Sequence, residues 1–183
     1  MPAQYSSRLR ASPISFSQYA NYLVSQLAAP SASNARGGTN APSAPNATTP
    51  PSPDFNIRSK YYQECVDTFG FFEGDQVCGV FAGNPVDWET YYFRYCHVTP
   101  THRGLGLPAW FYAWLISQLQ NSGVTKIQTE TSPTNGASIR TLSNLKFVVT
   151  GNALSQQFGS LLKFTRFCSL QEEAAFVEKF CYP

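Results

Sequence analysis

Charge is the scarcest commodity in this sequence. Charged side chains make up 13% of its 183 residues, against roughly a quarter in an average soluble domain. Such a surface is either rich in Ser, Asn, Thr and Gln or partly covered by a partner or a second copy. The surplus of positive charge is small, at +2, and all of it falls in residues 1–56, where Arg8, Arg10 and Arg36 face only Asp54. The remainder is neutral. That excludes the basic field of a nucleic-acid binder and leaves any phosphate binding to local geometry. Cysteine is also sparse. Cys65, Cys78, Cys96, Cys168 and Cys181 are odd in number, widely spaced and contain no C-x-x-C pair. This argues against a metal site or a disulfide framework and for buried reduced thiols. Long apolar runs are missing too. No stretch suits a membrane span, and the opening MPAQYSSRLR lacks the apolar run of a signal peptide, so the expectation is a cytoplasmic protein with no membrane partner. No internal repeat is evident.

Apolar and aromatic side chains are plentiful, at 43% and 15%, enough to bury a core in one domain plus a tail. Residues 12–28 read as a helix, with Ser12 as a cap, Pro13 in the first turn and Phe16, Tyr19, Leu23 and Leu27 at helical spacing. Residues 1–28 thus form an N-terminal strand and helix region. Residues 29–56 are rich in Pro, Ser, Asn and Ala and read as a linker or insertion. The rest, 57–183, holds the core. There Cys65–Glu73 and Val77–Ala82 alternate around a Gly74-Asp75 turn, Asn84-Pro85 is expected to break the second strand, and Glu89–Val98 supplies a third, aromatic-rich strand.

A loop over Thr99–Leu107 leads to a helix predicted from Pro108 to about Gln120, closed by a left-handed Gly123 cap. That helix is apolar nearly all round, which suits either burial against the sheet or a partner-facing surface. Lys126–Thr131 alternates as a strand, and Ser132-Pro133 opens a helix expected to reach about Leu145. Phe147–Leu154 and Leu161–Cys168 read as a closing hairpin, and Ser169-Leu170-Gln171-Glu172 is a capping box ahead of a last helix to Phe180. The strand–helix–strand unit should be parallel and right-handed, the rest of the sheet antiparallel.

The segment from Cys96 to Pro108 (CHVTPTHRGLGLP) joins a strand to a helix. A loop there aims backbone N–H groups and the positive end of the helix dipole at one point, and its glycines let an anion approach closely. A pyrophosphate suits it, with Arg103 able to add a charge-assisted contact.

In this region the chain resembles the GNAT N-acetyltransferase superfamily. Val98, Pro100, Arg103, Gly104 and Gly106 match the family's V-x-P-x-x-R-G-x-G-x-G/A motif in register. Asn135, Ser138, Leu145 and Phe147 stand at the spacing of its second motif, N-x-x-A-x-x-L-Y-x-x-x-G-F. The resemblance implies an α+β fold: a mixed, mostly antiparallel sheet splayed at a central parallel strand pair, with flanking helices. It implies acetyl-CoA as cofactor, its pantetheine arm pairing with the backbone near Val98 and its pyrophosphate on the amides of Arg103, Gly104, Leu105, Gly106 and Leu107. Asn135 and Ser138 would lie near the thioester end. Three positions depart from the pattern: Pro108 replaces a small residue, Leu142 the tyrosine that often protonates the leaving thiolate, and Lys146 the glycine before Phe147.

Transfer to an amine needs a neutral acceptor, stabilisation of oxyanion charge and a proton for the thiolate. The implied oxyanion donor is a backbone N–H near His97 or Val98. Strand parity puts Glu89, Tyr91, Phe93, Tyr95 and His97 on one face, although a bulge, common in this strand of the family, would alter it. His97 and Glu89 are the candidate bases, with Glu130 a weaker one, and Tyr95 or Tyr92 the candidate acid. The acceptor would be a small-molecule or peptide amine. An alternative is a non-catalytic GNAT-fold subunit of an assembly, or a homo-oligomer, joined through the aromatic helix or the N-terminal arm.

Overall fold

Aromatic and β-branched runs assemble the sheet. In the computed structural model, which describes residues 3–4, 8–28, 60 and 63–180, eight strands form one sheet. They are β1 (Ala3–Gln4), β2 (Leu9–Pro13), β3 (Asp67–Glu73), β4 (Gln76–Pro85), β5 (Thr90–Val98), β6 (Lys126–Thr131), β7 (Val148–Ser155) and β8 (Gly159–Phe167). Their order is β1-β2-β3-β4-β5-β6-β8-β7. All neighbours are antiparallel except β5 and β6. Among the described residues, helices α1 (Phe16–Ala28), α2 (Leu107–Asn121), α3 (Gly136–Asn144) and α4 (Leu170–Phe180) flank the sheet. This is the α+β architecture expected. The linker expected over 29–56 lies outside the described residues, as does Cys181.

Three local expectations are corrected. Ser12 and Pro13 belong to β2, and α1 starts at Phe16 because Ser15 and Gln18 form the capping box. The Gln18 N–H donates to Ser15 Oγ at 3.2 Å, and the Ser15 N–H donates to Gln18 Oε1 at 2.9 Å. Asn84-Pro85 does not break β4. The ladder runs to Pro85↔Tyr91, and Val86 N–H closes the turn on the Thr90 carbonyl at 2.8 Å. Ser132-Pro133 does not open α3. Asn135 is its N-cap, accepting the Ser138 N–H at 3.1 Å.

The core lies on both faces. Tyr19 and Tyr22 of α1 pack on Val80 and Ala82. On the other face α2 buries Phe111, Leu115 and Ile116 against the sheet. Phe111 meets Phe69, Phe71 and Phe81 with ring centroids 5.1 to 5.2 Å apart. The apolar helix is therefore covered by its own sheet, and the partner-facing reading of it finds no support. Burying one such phenylalanine typically contributes about 3–5 kcal/mol relative to alanine. The helix ends expected at Gly123 and Leu170 hold, β8 spans Gly159–Phe167 where Leu161–Cys168 was expected, and Glu172 of the expected capping box pairs with Lys126 Nζ at 3.0 Å.

Two helices end in the same hydrogen-bond pattern. After α2, Val124 N–H donates to the Leu119 carbonyl and Gly123 N–H to that of Gln120. After α3, Phe147 N–H donates to Leu142 and Lys146 N–H to Ser143. Both are Schellman closures with the first residue beyond the cap in the left-handed region. At Gly123, φ +88°, this is unstrained; at Lys146, φ +64°, a side chain pays for it. The left-handed cost of roughly 1–2 kcal/mol exceeds the roughly 0.5–1 kcal/mol of extra entropy a glycine loses. Lys146→Gly is therefore expected to raise unfolding free energy by about 0.5–1 kcal/mol, visible as a higher urea midpoint at unchanged m-value.

Candidate active site

The parallel pair does not stay paired. β5 and β6 ladder from Thr90↔Lys126 to Phe93↔Thr129 and no further, although β5 continues to Val98 and β6 to Thr131. At the fork the Thr129 hydroxyl donates to the Phe93 carbonyl at 3.0 Å. One residue farther along β6, Glu130 accepts the Tyr92 phenol, so the weaker candidate base is engaged here.

A bulge explains what happens past the fork. Gly83 pairs with Phe93 and Ala82 with Tyr95, leaving Arg94 extra. Its guanidinium Nε donates to the buried Asn84 Oδ1, which fastens the bulge. The extra residue swaps the strand's faces. Tyr91 and Phe93 face α2, as do Cys96 and Val98, whereas Tyr95 and His97, opposite Ala82 and Val80, face α1. The single-face expectation for Glu89, Tyr91, Phe93, Tyr95 and His97 is thus corrected. Glu89 also stands apart. It precedes β5 at the laddered end, its carbonyl accepting the N–H groups of Thr125 and Lys126, about 25 Å along the strand from His97 at 3.3 Å per residue.

The bulge re-aims the backbone as well. Thr99 N–H donates to the Cys78 carbonyl of β4 at 2.9 Å, so the Val98 carbonyl, on the same peptide group, points into the gap beside β5. By alternation the N–H groups of Cys96 and Val98 point there too, while that of His97 faces β4. Arg103 Nε donates to the Val98 carbonyl at 3.1 Å, so its side chain turns back over the strand end.

The loop that follows begins with one 3₁₀ turn, Pro100–His102, which takes the Arg103 N–H at 3.3 Å to the Pro100 carbonyl. Gly104 and Gly106 then both adopt φ +77°. Among the described residues no backbone acceptor takes the N–H of Gly104, Gly106, Leu107 or Ala109. These donors sit at the start of α2, where the helix dipole adds positive potential. The Arg103 amide is thus engaged within the loop, Pro108 has no N–H, and Ala109 shares the unengaged state of the glycine and Leu107 amides.

On the α1 face, Tyr22 Oη lies 2.9 Å from His97 Nδ1, and Tyr95 stacks on His97 at 6.4 Å with an interplanar angle of 10°. Burial, then the Arg103 charge, lowers the His97 pKa. Burial first, with nearby Cys78, Tyr95 and Cys96 assisting, pushes Tyr22 up to about 12. Burial likewise raises Tyr95, and pushes Cys96, bonded to Tyr112, up to about 12. Asn135 caps α3 with its side chain, and Leu142, in the place of the family's tyrosine, is 2% exposed in the core. No proton donor stands there. Tyr22 was not anticipated, yet it lies three residues beyond Tyr19 on the buried stripe, and a buried phenol needs a polar partner.

The stretch that contains this fork and loop is matched by a family model. The model, described as the acetyltransferase (GNAT) family, covers residues 41–147, more than half the chain. The chain belongs to the GNAT family. Solved GNAT structures agree on the fold. The ribosomal-protein-S18-alanine N-acetyltransferase of Escherichia coli superimposes with TM-score 0.62 at 15% identity, over 88% of this chain and 95% of that one. A ribosomal L7/L12 α-N-protein acetyltransferase gives 0.62 at 12%, over 92% and 98%. The Salmonella typhimurium protein yncA, solved with its cofactor acetyl-CoA, gives 0.53 at 19%, over 63% and 74%. No curated protein matches.

The lowered His97 pKa fixes a sign for stability in this GNAT chain. The unfolded imidazole, near 6.5, takes up a proton that the folded one refuses. The stability His97 contributes is therefore present above about pH 6.5 and lost as pH falls below it. His97→Gln is expected to flatten the fall in urea midpoint between pH 7.5 and 5; an unchanged slope would mean that His97 titrates normally.

Proposed function

We propose that this chain is an acetyl-CoA-dependent N-acyltransferase that passes the acyl group directly to a small-molecule or peptide amine in a ternary complex. The observation that carries this reading is the fork, where the backbone groups of Cys96 and Val98 face a gap beside β5. An extended amide-bearing arm pairs with such an edge as an added strand would. The free N–H groups of Gly104, Gly106, Leu107 and Ala109 suit a diphosphate. The bound cofactor would supply an activated acyl thioester. Residues of the chain then divide the remaining work. The Cys96 and Val98 amides donate toward charge that develops at the acyl oxygen. Tyr95, 41% exposed and, like any tyrosine, a phenol at neutral pH, is the proton source for the departing sulfur, a duty Leu142 cannot perform. His97 stands beside it with Nε2 open to an acceptor. Arg103 must yield or share the Val98 carbonyl when the arm binds.

The acceptor is an amine of modest size or a peptide end. Two structures that cover most of this chain's length carry titles naming N-acetyltransferases of ribosomal proteins, which favours a peptide amine. A second reading, a GNAT-fold subunit without turnover, draws on Leu142, whose burial removes the family's usual acid.

Calorimetry separates the two. Acetyl-CoA and CoA are expected to bind the wild-type chain, and acetyl transfer to a peptide panel should release free thiol. Gly106→Glu puts a side chain on a left-handed backbone and a carboxylate among the phosphate donors. It should weaken CoA binding by at least about a hundredfold, since it sets like charge against like at close range. Absence of CoA binding to the wild type at millimolar concentration removes the proposal; binding without turnover favours the second reading.

A further inference from the structure

The α1 face of β5 holds a hydrogen bond that the reaction outlined above does not yet use. Tyr22 reaches from α1, packed over Val80 and Ala82, to within 2.9 Å of His97 Nδ1. The rings meet at 5.8 Å with a 56° tilt, and Tyr95 also stacks on the imidazole, at 6.4 Å. Nε2 of His97 has no partner among the described residues. A phenolic O–H is a much stronger acid than a neutral imidazole N–H, so the hydrogen between them belongs to the oxygen and Tyr22 donates to Nδ1. An imidazole that accepts at Nδ1 carries its own hydrogen on Nε2.

The surroundings also oppose an imidazolium. The titratable groups around the pair are Tyr95 and Cys96 on β5, Cys78 on β4 and Arg103 in the loop. Burial raises both thiols and Tyr95, so none is an anion at neutral pH, and Arg103 is a cation. A proton placed on His97 would find no counter-charge there.

We propose that Tyr22 is a positioning residue that holds His97 as the neutral Nε2–H tautomer, so that His97 offers a hydrogen-bond donor, and not a base, to the charge developing on the acyl thioester. This rests on the acyltransferase reading. The acceptor nitrogen bonds to the acyl carbon, the carbon–sulfur bond breaks, Tyr95 gives its phenolic proton to the sulfur and regains one from the amine nitrogen, so His97 begins and ends neutral. The assignment also links α1, in the N-terminal region, to the reacting centre.

Nitrogen-15 NMR of the imidazole rings tests this without turnover. The chain has two histidines, so His97→Gln assigns the spectrum. The wild type should show His97 protonated at Nε2 and titrating below an ordinary histidine, and Tyr22→Phe should mix the tautomers and move the titration upward. In acetyl transfer, His97→Ala should lower kcat about a hundredfold, the usual loss for one donor at developing charge. His97→Gln keeps an N–H donor but cannot serve as a base, and should recover about tenfold of that loss. A wild-type spectrum with the hydrogen on Nδ1 overturns the proposal. So does His97→Gln as inactive as His97→Ala with CoA binding intact. If no acetyl transfer occurs at all, the acyltransferase reading fails, while the wild-type spectrum still decides the Tyr22–His97 assignment.

Discussion

The parting of β5 from β6 after four residue pairs is the constraint on which the site depends. A parallel pair that continued to Val98 would satisfy its own backbone groups and leave no edge for a ligand. Here the bulge at Arg94 turns β5 half over, so the chain that pairs with β6 up to Phe93 presents different groups beyond it. One extra residue therefore changes two things together. It sends Tyr95 and His97 to the α1 face, and it aims the Cys96 and Val98 amides into the gap.

The fork is held by neighbours that leave little freedom. Phe93 lies in the core, edge-on to Phe81 at 5.2 Å and tilted on Tyr112 at 4.8 Å. Thr129 takes its carbonyl, Glu130 takes Tyr92, and Asn84 takes the bulged Arg94. The laddered half of the pair and the open half thus meet at an aromatic-packed, hydrogen-bonded junction. The loop after β5 uses another device. Two left-handed glycines turn the chain so that α2 begins with its N–H groups uncommitted. The proposed site draws on the backbone groups that the fork and the loop leave over, together with Tyr95 and His97 on the α1 face.

Much of this was legible in the residues. The strand–loop–helix reading of Cys96–Pro108, the Gly123 cap and the last helix came directly from pattern and capping chemistry, and the match of two spaced motifs implied the parallel pair. Other features were hidden for physical reasons. A bulge is a backbone register event with no side-chain signature, so alternation in Glu89–Val98 pointed to one face where there are two. Ser12-Pro13 mimicked a helix start because Ser and Pro serve equally at a strand end, while the true box was Ser15–Gln18. Lys146 in a left-handed cap shows the opposite case, where the motif demanded a glycine geometry and the chain adopts it with a lysine. The Tyr22–His97 bond joins residues 75 apart in sequence, and only the packing of α1 on β4 brings them together.

Backbone amide exchange at Cys96 and Val98 is the most direct measurement of whether β5 offers a free edge. In the free protein these two amides should exchange fast relative to the Thr99 amide, which is bonded to Cys78, and saturating CoA should slow them. Slow exchange at both in the free protein, or no change on adding CoA, would contradict an open fork that receives the cofactor's arm.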